Sequence, residues 1–187
     1  ELFSYQRDDY NMLMNFEKRL VLHDTGLGKA QPLYSKVLTP NGFVNMGDIK
    51  VGMKVMGEDG KPYDVLGVYP QGKKKIYSLH FSDGSSCECC GRHLWTLHYV
   101  GCKEFTASGD ELIGYYGSYM SEWNSWWFSE EYPLYLPDSI YKHTAHLVYI
   151  QCETKEEECQ CIYVSNPTHL YITDDFIPTH NTVICSA

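Results

Sequence analysis

Two short stretches near opposite ends of the chain form one motif when they are joined. Asp24-Thr25-Gly26-Leu27-Gly28-Lys29 stands near the start, and His180-Asn181-Thr182 stands near the end. A phosphate-binding loop reads G-x-x-x-x-G-K-[ST], with the Ser or Thr hydroxyl on Mg²⁺. Lys29 is followed by Ala30, which has no hydroxyl, whereas deletion of residues 30–181 places Thr182 directly after Lys29. The sequence therefore predicts an insertion over residues 30–181.

The two flanks of this insertion are predicted to be pieces of a host protein, residues 1–29 and residues 182–187. A rough helical stripe predicts a short helix in the upstream flank, formed by Tyr5, Tyr10, Leu13, Met14 and Phe16. Leu2 and Tyr5-Gln6, followed by the loop at residues 25–29, resemble the start of a superfamily-two helicase or related ATPase. The flanks are too short to hold an ATPase domain, so the host is represented only by fragments.

Residues 30–181 have the pattern of a mainly β fold with many short strands. Turn signals recur at short intervals, beginning with Thr39-Pro40-Asn41-Gly42. The pattern predicts separate strands over 63–69 and 75–81, and again over 145–152 and 160–164. Residues 102–144 differ because they are crowded with tyrosine and tryptophan, which predicts an aromatic cover over the sheet. A partner surface or the remnant of a lost inserted domain are the alternatives for that segment.

Composition restricts the classes of function. The chain has 15 basic and 24 acidic residues and a formal net charge of −9, which argues against nucleic acid as its main partner. No apolar run approaches the roughly 18 residues that a membrane helix needs. Eight cysteines without a signal peptide indicate reduced thiols in the cytoplasm. We expect a cytoplasmic monomer with no cofactor, no bound metal and no nucleic-acid or membrane partner.

Residues 30–182 resemble an intein, a self-splicing element with the hedgehog/intein horseshoe fold of many short strands. Met46-Gly47-Asp48-Ile49-Lys50-Val51-Gly52 is similar to part of the first family block. Cys90-Gly91-Arg92-His93 stands where the family has Thr-x-x-His. Residues 161–176, followed by His180-Asn181-Thr182, are similar to its last two blocks. The resemblance implies autocatalytic cleavage and ligation in a single turnover, with the host flanks as partners in cis.

The downstream end carries the residues that this chemistry needs. The side-chain amide of Asn181 can attack its own backbone carbonyl, which forms a succinimide and cuts the bond to Thr182. His180 could donate a proton to the leaving amine, and such acid catalysis contributes about 10²–10⁴-fold. The Thr182 hydroxyl can accept the upstream segment as an ester. His169 matches a family histidine that assists the cyclisation of asparagine.

The upstream end departs from the usual family pattern, since Ala30 stands where Cys or Ser normally begins the reaction. A branch called class three has a Trp two residues after the block histidine, an internal Cys and a Thr after the terminal Asn. Trp95, Cys161 and Thr182 match that pattern. The resemblance then implies that Cys161 attacks the Lys29 carbonyl to form a thioester.

Two further roles and one alternative complete the upstream hypothesis. His93 would assist cleavage of the Lys29–Ala30 bond, beside Cys90, which replaces the family threonine. In the alternative account, Ala30 replaces a natural Cys and traps the unspliced precursor. Both accounts stay open on the sequence alone.

A small β-rich zinc or binding domain is the hypothesis from a different class. Two groups of possible zinc ligands support it, Cys87, Cys89, Cys90 and His93 in one group and Cys159 and Cys161 in the other. The spacing from Cys90 to His93 suits a pair of ligands, but C-x-C-C is not a usual zinc pattern.

Overall fold

The structure is a computed structural model that describes residues 30–142 and 144–180. The predicted N-terminal helix, both host fragments and the predicted site residues Lys29, Asn181 and Thr182 lie outside these described residues. Within the described part, the strands are β1 Gln31–Pro32, β2 Lys36–Thr39, β3 Gly42–Asn45, β4 Lys54–Met56, β5 Pro62–Phe81, β6 Ser86–Cys90, β7 Leu94–Leu97, β8 Phe105–Ser108, β9 Ser118–Met120, β10 Ser125–Trp127, β11 Leu147–Val164, β12 Leu170–Ile172 and β13 Pro178–His180. The helix α1 spans Gly109–Tyr116, and short 3-10 helices cover Met46–Asp48, Ser121–Trp123 and Asp174–Phe176. The prediction of a mainly β fold is confirmed.

The largest sheet is built around the pairing of β5 with β11. Its main order is β4-β5-β11-β10-β9, with β1 also paired to β11 and β6 also paired to β5. Three separate hairpins join β2 to β3, β7 to β8, and β12 to β13. The Thr39–Gly42 turn between β2 and β3 lies where the sequence predicts it, and Gly42 has φ +105°, a conformation that favours glycine.

The central pair of strands is longer than the sequence predicts. The two strands predicted over 63–69 and 75–81 are one strand, β5, and those predicted over 145–152 and 160–164 are one strand, β11. The polar segments between them continue the ladder, because three lysines of β5 lie opposite three glutamates of β11: Lys73 opposite Glu158, Lys74 opposite Glu157, and Lys75 opposite Glu156. Opposite charges across a strand pair stabilise it, so the prediction of interruptions was wrong.

The aromatic-rich segment also contains a helix that the sequence analysis did not predict. Ser108 caps α1 with a capping box, in which its hydroxyl accepts from the Glu111 N–H and the Glu111 side chain accepts from the Ser108 N–H. The S-x-x-E pattern was the available signal for this helix. The aromatic side chains of this segment are partly in the core and partly at the surface: Phe128 is buried, whereas Tyr115 and Trp123 are exposed.

Buried side chains form three clusters that together hold both ends of the described chain. The largest contains Trp95, Leu112, Phe128 and Leu147 under α1 and β7. A second packs Val37, Val55, Ile162 and Tyr171 between the hairpins and β11. A third, the junction cluster, contains Ala30, Ile76, Cys90, Cys159 and Cys161. No helix among the described residues is long and apolar enough to cross a membrane.

Candidate functional site

Ala30, at the upstream end of the described chain, is held by Cys90 at the end of β6. Ala30 is fully buried, and its N–H donates to Cys90 Sγ at 3.2 Å. The Cys90 N–H donates in return to the Ala30 carbonyl at 2.9 Å. The Ala30 nitrogen belongs to the peptide bond from Lys29, so the Cys90 side chain contacts the predicted upstream junction. A sulfur atom thus accepts the hydrogen bond at the position where the family has threonine.

The register of β1 on β11 brings Cys161 to the same junction. The two strands are antiparallel, with Gln31 opposite Gln160. One further step in that register puts Ala30 opposite Cys161, and both residues belong to the junction cluster. Directly opposed residues of an antiparallel pair have Cα atoms about 4.5–5.5 Å apart. The pairing of β1 therefore brings Cys161 beside the start of the predicted insertion.

A bulge in β5 supplies a hydrogen-bonding partner to Cys161. Cys159 lies opposite Gly72 and Gln160 opposite Pro70, so Gln71 is an extra residue in β5. Its Nε2 donates to Cys161 Sγ at 3.7 Å, while the Cys161 thiol donates to the Tyr69 carbonyl at 3.7 Å. Bulges commonly re-aim a side chain near an active site. Gln71 was missed by sequence reasoning, because a bulge has no clear signal in a segment of this composition.

The other two thiols of the junction cluster are held in the neutral form. Burial raises the pKa of Cys90, against smaller lowering contributions from the N–H groups of Ala30, Arg92 and His93. Burial, followed by the charges of Cys90 and Glu157, raises the pKa of Cys159 to about 12. Since thiolates are the nucleophilic form, both groups are poor nucleophiles near neutral pH.

His93 links the upstream contact to the downstream end of the described chain. Its N–H donates to the Cys90 carbonyl at 2.9 Å, which closes the turn between β6 and β7. The imidazole is buried, and its Nε2 lies 2.5 Å from Thr179 Oγ1 on β13. Thr179 immediately precedes His180. Sequence reasoning missed Thr179, although its place beside the terminal motif was a usable signal.

Trp95 packs against His93. Its ring centroid lies 5.3 Å from that of His93 in an edge-on arrangement, and 6.1 Å from that of Phe81. Trp95 is fully buried in the largest cluster, whereas Cys161 belongs to the junction cluster. Burial raises the pKa of Cys89, a member of the same cluster, well above its ordinary value. Trp95 therefore packs on His93 and lies in a different cluster from Cys161.

The predicted downstream histidines meet on the β12/β13 hairpin. His180 lies opposite Leu170, and its ring centroid is 5.7 Å from that of His169. His169 has φ +61°, an uncommon conformation for a residue with a side chain. Asn166 holds this loop, because its carbonyl accepts from the His169 N–H at 3.0 Å and its Nδ2 donates to the Leu170 carbonyl at 2.7 Å. His180 therefore lies just before the predicted downstream junction, with the His169 ring beside it.

The cysteines of β6 point to different sides of their strand. Cys87 and Cys89 belong to the largest cluster, whereas Cys90 belongs to the junction cluster. Adjacent side chains of a strand face opposite sides, so these residues do not converge on one ion. Throughout residues 30–142 and 144–180, no three His, Cys, Asp or Glu side chains form a group suited to a metal ion. The zinc hypothesis gains no support from this arrangement.

Comparison with known proteins gives sequence relatives of a single kind. No family model matches the chain. The replicative DNA helicase DnaB of Mycobacterium leprae is 26% identical over 162 residues, which are 85% of this chain and 25% of the helicase. The replicative DNA helicase DnaB of Mycobacterium intracellulare is 35% identical over 71 residues, or 37% of this chain and 12% of the helicase. The chain thus spans at most a quarter of the curated relatives it matches.

Solved structures identify the fold. The gp41-1 intein is 26% identical, with a TM-score of 0.60, and the match covers 82% of this chain and 98% of that one. The chain therefore resembles inteins over most of its length. A zinc-bound splicing domain of the Msm DnaB1 intein gives a TM-score of 0.62 at 23% identity, covering 81% of this chain and all of that one. The DnaB intein of Synechocystis gives 0.57 at 19% identity, covering 82% of this chain and 99% of that one. The predicted hedgehog/intein fold is confirmed.

Proposed function

We propose that this intein excises residues 30–181 and joins Lys29 to Thr182 through a new peptide bond. The observation that carries the proposal is the environment of Ala30, which lies between the Cys90 thiol and the strand that bears Cys161. A buried peptide nitrogen that contacts one thiol and lies in the same cluster as a second suits acyl transfer to sulfur. The reaction occurs once per chain, so the intein is its own substrate.

In the first step, the Cys161 sulfur attacks the carbonyl carbon of Lys29. A C–S bond forms, the C–N bond to Ala30 breaks, and the thiol proton ends on the Ala30 nitrogen. The position of Cys161 across from Ala30 supports this choice of nucleophile. Because Cys90 and Cys159 are held as neutral thiols, they compete poorly for the same carbonyl.

His93 and Cys90 assist the departure of the Ala30 nitrogen. Cys90 contacts that nitrogen directly and orients it, while His93 follows on the same turn. We propose that His93 delivers the proton that the leaving nitrogen requires, a role worth about 10²–10⁴-fold in rate. Trp95 packs on the His93 ring and fixes its plane.

The later steps use the downstream residues. The Thr182 hydroxyl attacks the thioester, which releases the Cys161 thiol and leaves the upstream segment as an ester. Asn181 then cyclises, and its bond to Thr182 breaks to give a free Thr182 amine. That amine attacks the ester and forms the amide. His180 and His169, whose ring centroids lie 5.7 Å apart before this junction, act as proton donor and positioning partner for the cyclisation.

We propose that the host is a helicase-like ATPase and that its phosphate-binding loop is restored by splicing. Joining Lys29 to Thr182 yields Gly26-Leu27-Gly28-Lys29-Thr182, which supplies the hydroxyl that the loop needs. The matched relatives are replicative DNA helicases, which supports this class of host. The host segments are then the intein's partners in cis, and excision requires only a monomer.

Mass spectrometry of the freshly expressed 1–187 chain tests this function. We expect an excised fragment covering 30–181 and a ligated peptide in which Lys29 precedes Thr182. C161A should abolish upstream cleavage, whereas C152A, which changes a buried cysteine of the same strand, should still give ligated product. Self-splicing would be contradicted if both the parent chain and A30C stayed intact for days in reducing buffer.

The same assay separates the two accounts of Ala30. If Cys161 is the first nucleophile, the parent chain splices with Ala30 in place, and A30C/C161A stays defective. If Ala30 replaces a lost nucleophile, the parent chain is inactive, A30C splices, and A30C/C161A still splices. This second pattern would exclude Cys161 as the first nucleophile.

A further inference from the structure

The residue after Ala30 carries a fully buried side-chain amide. Gln31 donates from Nε2 to Thr173 Oγ1 at 3.0 Å and to Cys87 Sγ at 3.1 Å. Its Oε1 accepts from the Tyr171 hydroxyl at 2.7 Å. Both amide protons and the carbonyl oxygen are therefore engaged, and the side chain is fixed at each end.

Two of these partners, Tyr171 and Thr173, lie on or directly after β12, the strand paired with β13. Tyr171 belongs to β12 and lies opposite Thr179 of β13, the strand that leads to the downstream junction. Thr173 follows β12 directly, and its hydroxyl also donates to the Lys36 carbonyl at 2.8 Å. The Gln31 amide thus joins β1, which begins at the upstream junction, to the hairpin that ends at the downstream one.

A second route joins the same two ends. Cys90 contacts Ala30, and His93 on the same turn contacts Thr179. Tyr171 and Thr179 are cross-strand partners, so the Gln31 contact and the His93 contact reach the hairpin at the same register position. The two routes together fix both the distance and the relative orientation of the ends.

We infer that Gln31 is a positioning residue that couples the two splice junctions, holding β1 on the β12/β13 hairpin so that upstream cleavage is followed by ligation. This inference rests on the proposed function. Without the amide, Cys161 still reaches the upstream bond through the β1/β11 pairing, but the thioester is no longer held toward the downstream residues. Cleaved upstream fragment then accumulates in place of ligated product.

The partition between products tests the coupling. Q31M keeps the length of the side chain and removes all three hydrogen bonds. We expect the ratio of free upstream fragment to ligated peptide to rise about tenfold, since loss of a buried partner of this kind changes an equilibrium by about that factor. Q160M is the matched control, because Gln160 is the buried glutamine directly opposite and its amide donates to the Met46 carbonyl instead. Its ratio should stay within about twofold of the parent chain.

A double variant separates positioning from stability. Q31M leaves the buried Tyr171 hydroxyl without an acceptor, so Q31M/Y171F should unfold at a higher temperature than Q31M. The product ratio of Q31M/Y171F should nevertheless remain as high as that of Q31M. Recovery of ligation together with stability would show that Gln31 only stabilises the fold, and would overturn the inference.

Hydrogen exchange tests the coupling even if no splicing occurs. In the unreactive C161A background, Q31M should speed amide hydrogen exchange about tenfold in both β1 and β13. Q160M should leave the exchange of β13 unchanged. Faster exchange confined to β1 would overturn the inference. A parent chain that never splices would instead contradict the proposed function and leave this exchange result to decide the coupling.

Discussion

The hydrogen bond from the Ala30 N–H to Cys90 predicts a measurable defect when the sulfur is removed. In C90A the Ala30 N–H loses its acceptor at a position that is fully buried. An unsatisfied buried donor costs about 1–3 kcal/mol. Sulfur is a weak acceptor, so the lower half of that range applies, and about 1–2 kcal/mol corresponds to roughly fivefold to thirtyfold in rate or equilibrium.

This cost should be larger after cleavage than before it. When the Lys29–Ala30 bond breaks, the Ala30 nitrogen gains hydrogen and its need for an acceptor increases. Under the proposed mechanism, C90A should therefore shift the thioester equilibrium back toward the peptide bond. C90S keeps an acceptor atom at nearly the same position, so we expect it to stay within about threefold of the parent chain.

Thiol-induced cleavage measures the step directly. In an N181A background the downstream reaction is blocked, and added dithiothreitol releases the upstream fragment from any thioester. The rate of release, followed by mass spectrometry, should fall roughly fivefold to thirtyfold in C90A. Equal rates for C90A and the parent chain would refute the claim that this contact acts at the junction. A loss in C90S as large as that in C90A would refute the assigned role as acceptor.

Two further predictions concern stability. Burial tends to raise the pKa of Asp83, but hydrogen bonds from Lys142 and Ser85 outweigh it and lower the pKa from 3.8 to about 2. Folding thus favours the ionised carboxylate, so its contribution to the stability of the fold is present above pH 3.8 and is lost as the pH falls toward about 2. Acid titration followed by circular dichroism should show a shallower loss of stability for D83N. On the central strands, E157K puts a lysine opposite Lys74 and should cost about 0.2–1 kcal/mol, which lowers the Tm by up to about 4 °C. The charge-swapped K74E/E157K should recover most of that loss at low salt, and failure to recover would contradict an electrostatic origin.

The sequence nominates candidate site residues but does not predict how they are arranged. Short motifs point to Cys90, His93 and the terminal histidines. The resemblance implies that Cys161 reaches the upstream bond, but the β1/β11 register that sets it opposite Ala30 could not be predicted, since β1 has only two residues. Gln71 reaches Cys161 only through a bulge.

The predicted boundaries of the strands within β5 and β11 were wrong for a related reason. Hydrophobic alternation predicts strands where one face is buried, but the middle of β5 and β11 is charged on both strands. The pairing there depends on Lys74 meeting Glu157, a contact between segments distant in sequence. A single-sequence pattern has no access to such a partner, so it divides one long strand pair into two.

The turn between Cys90 and His93 shows how the aromatic-rich segment contributes to the site. Its ends contact Ala30 and Thr179, so its shape sets the separation between the upstream and downstream contacts. The first residues of α1 hold this turn, because the Asp110 N–H donates to the Gly91 carbonyl at 2.7 Å. A side chain at Gly91 would lie 2.2 Å from Asp110 Oδ1, so glycine permits this close approach. The helix that the sequence analysis missed therefore supports the turn on which both junction contacts depend.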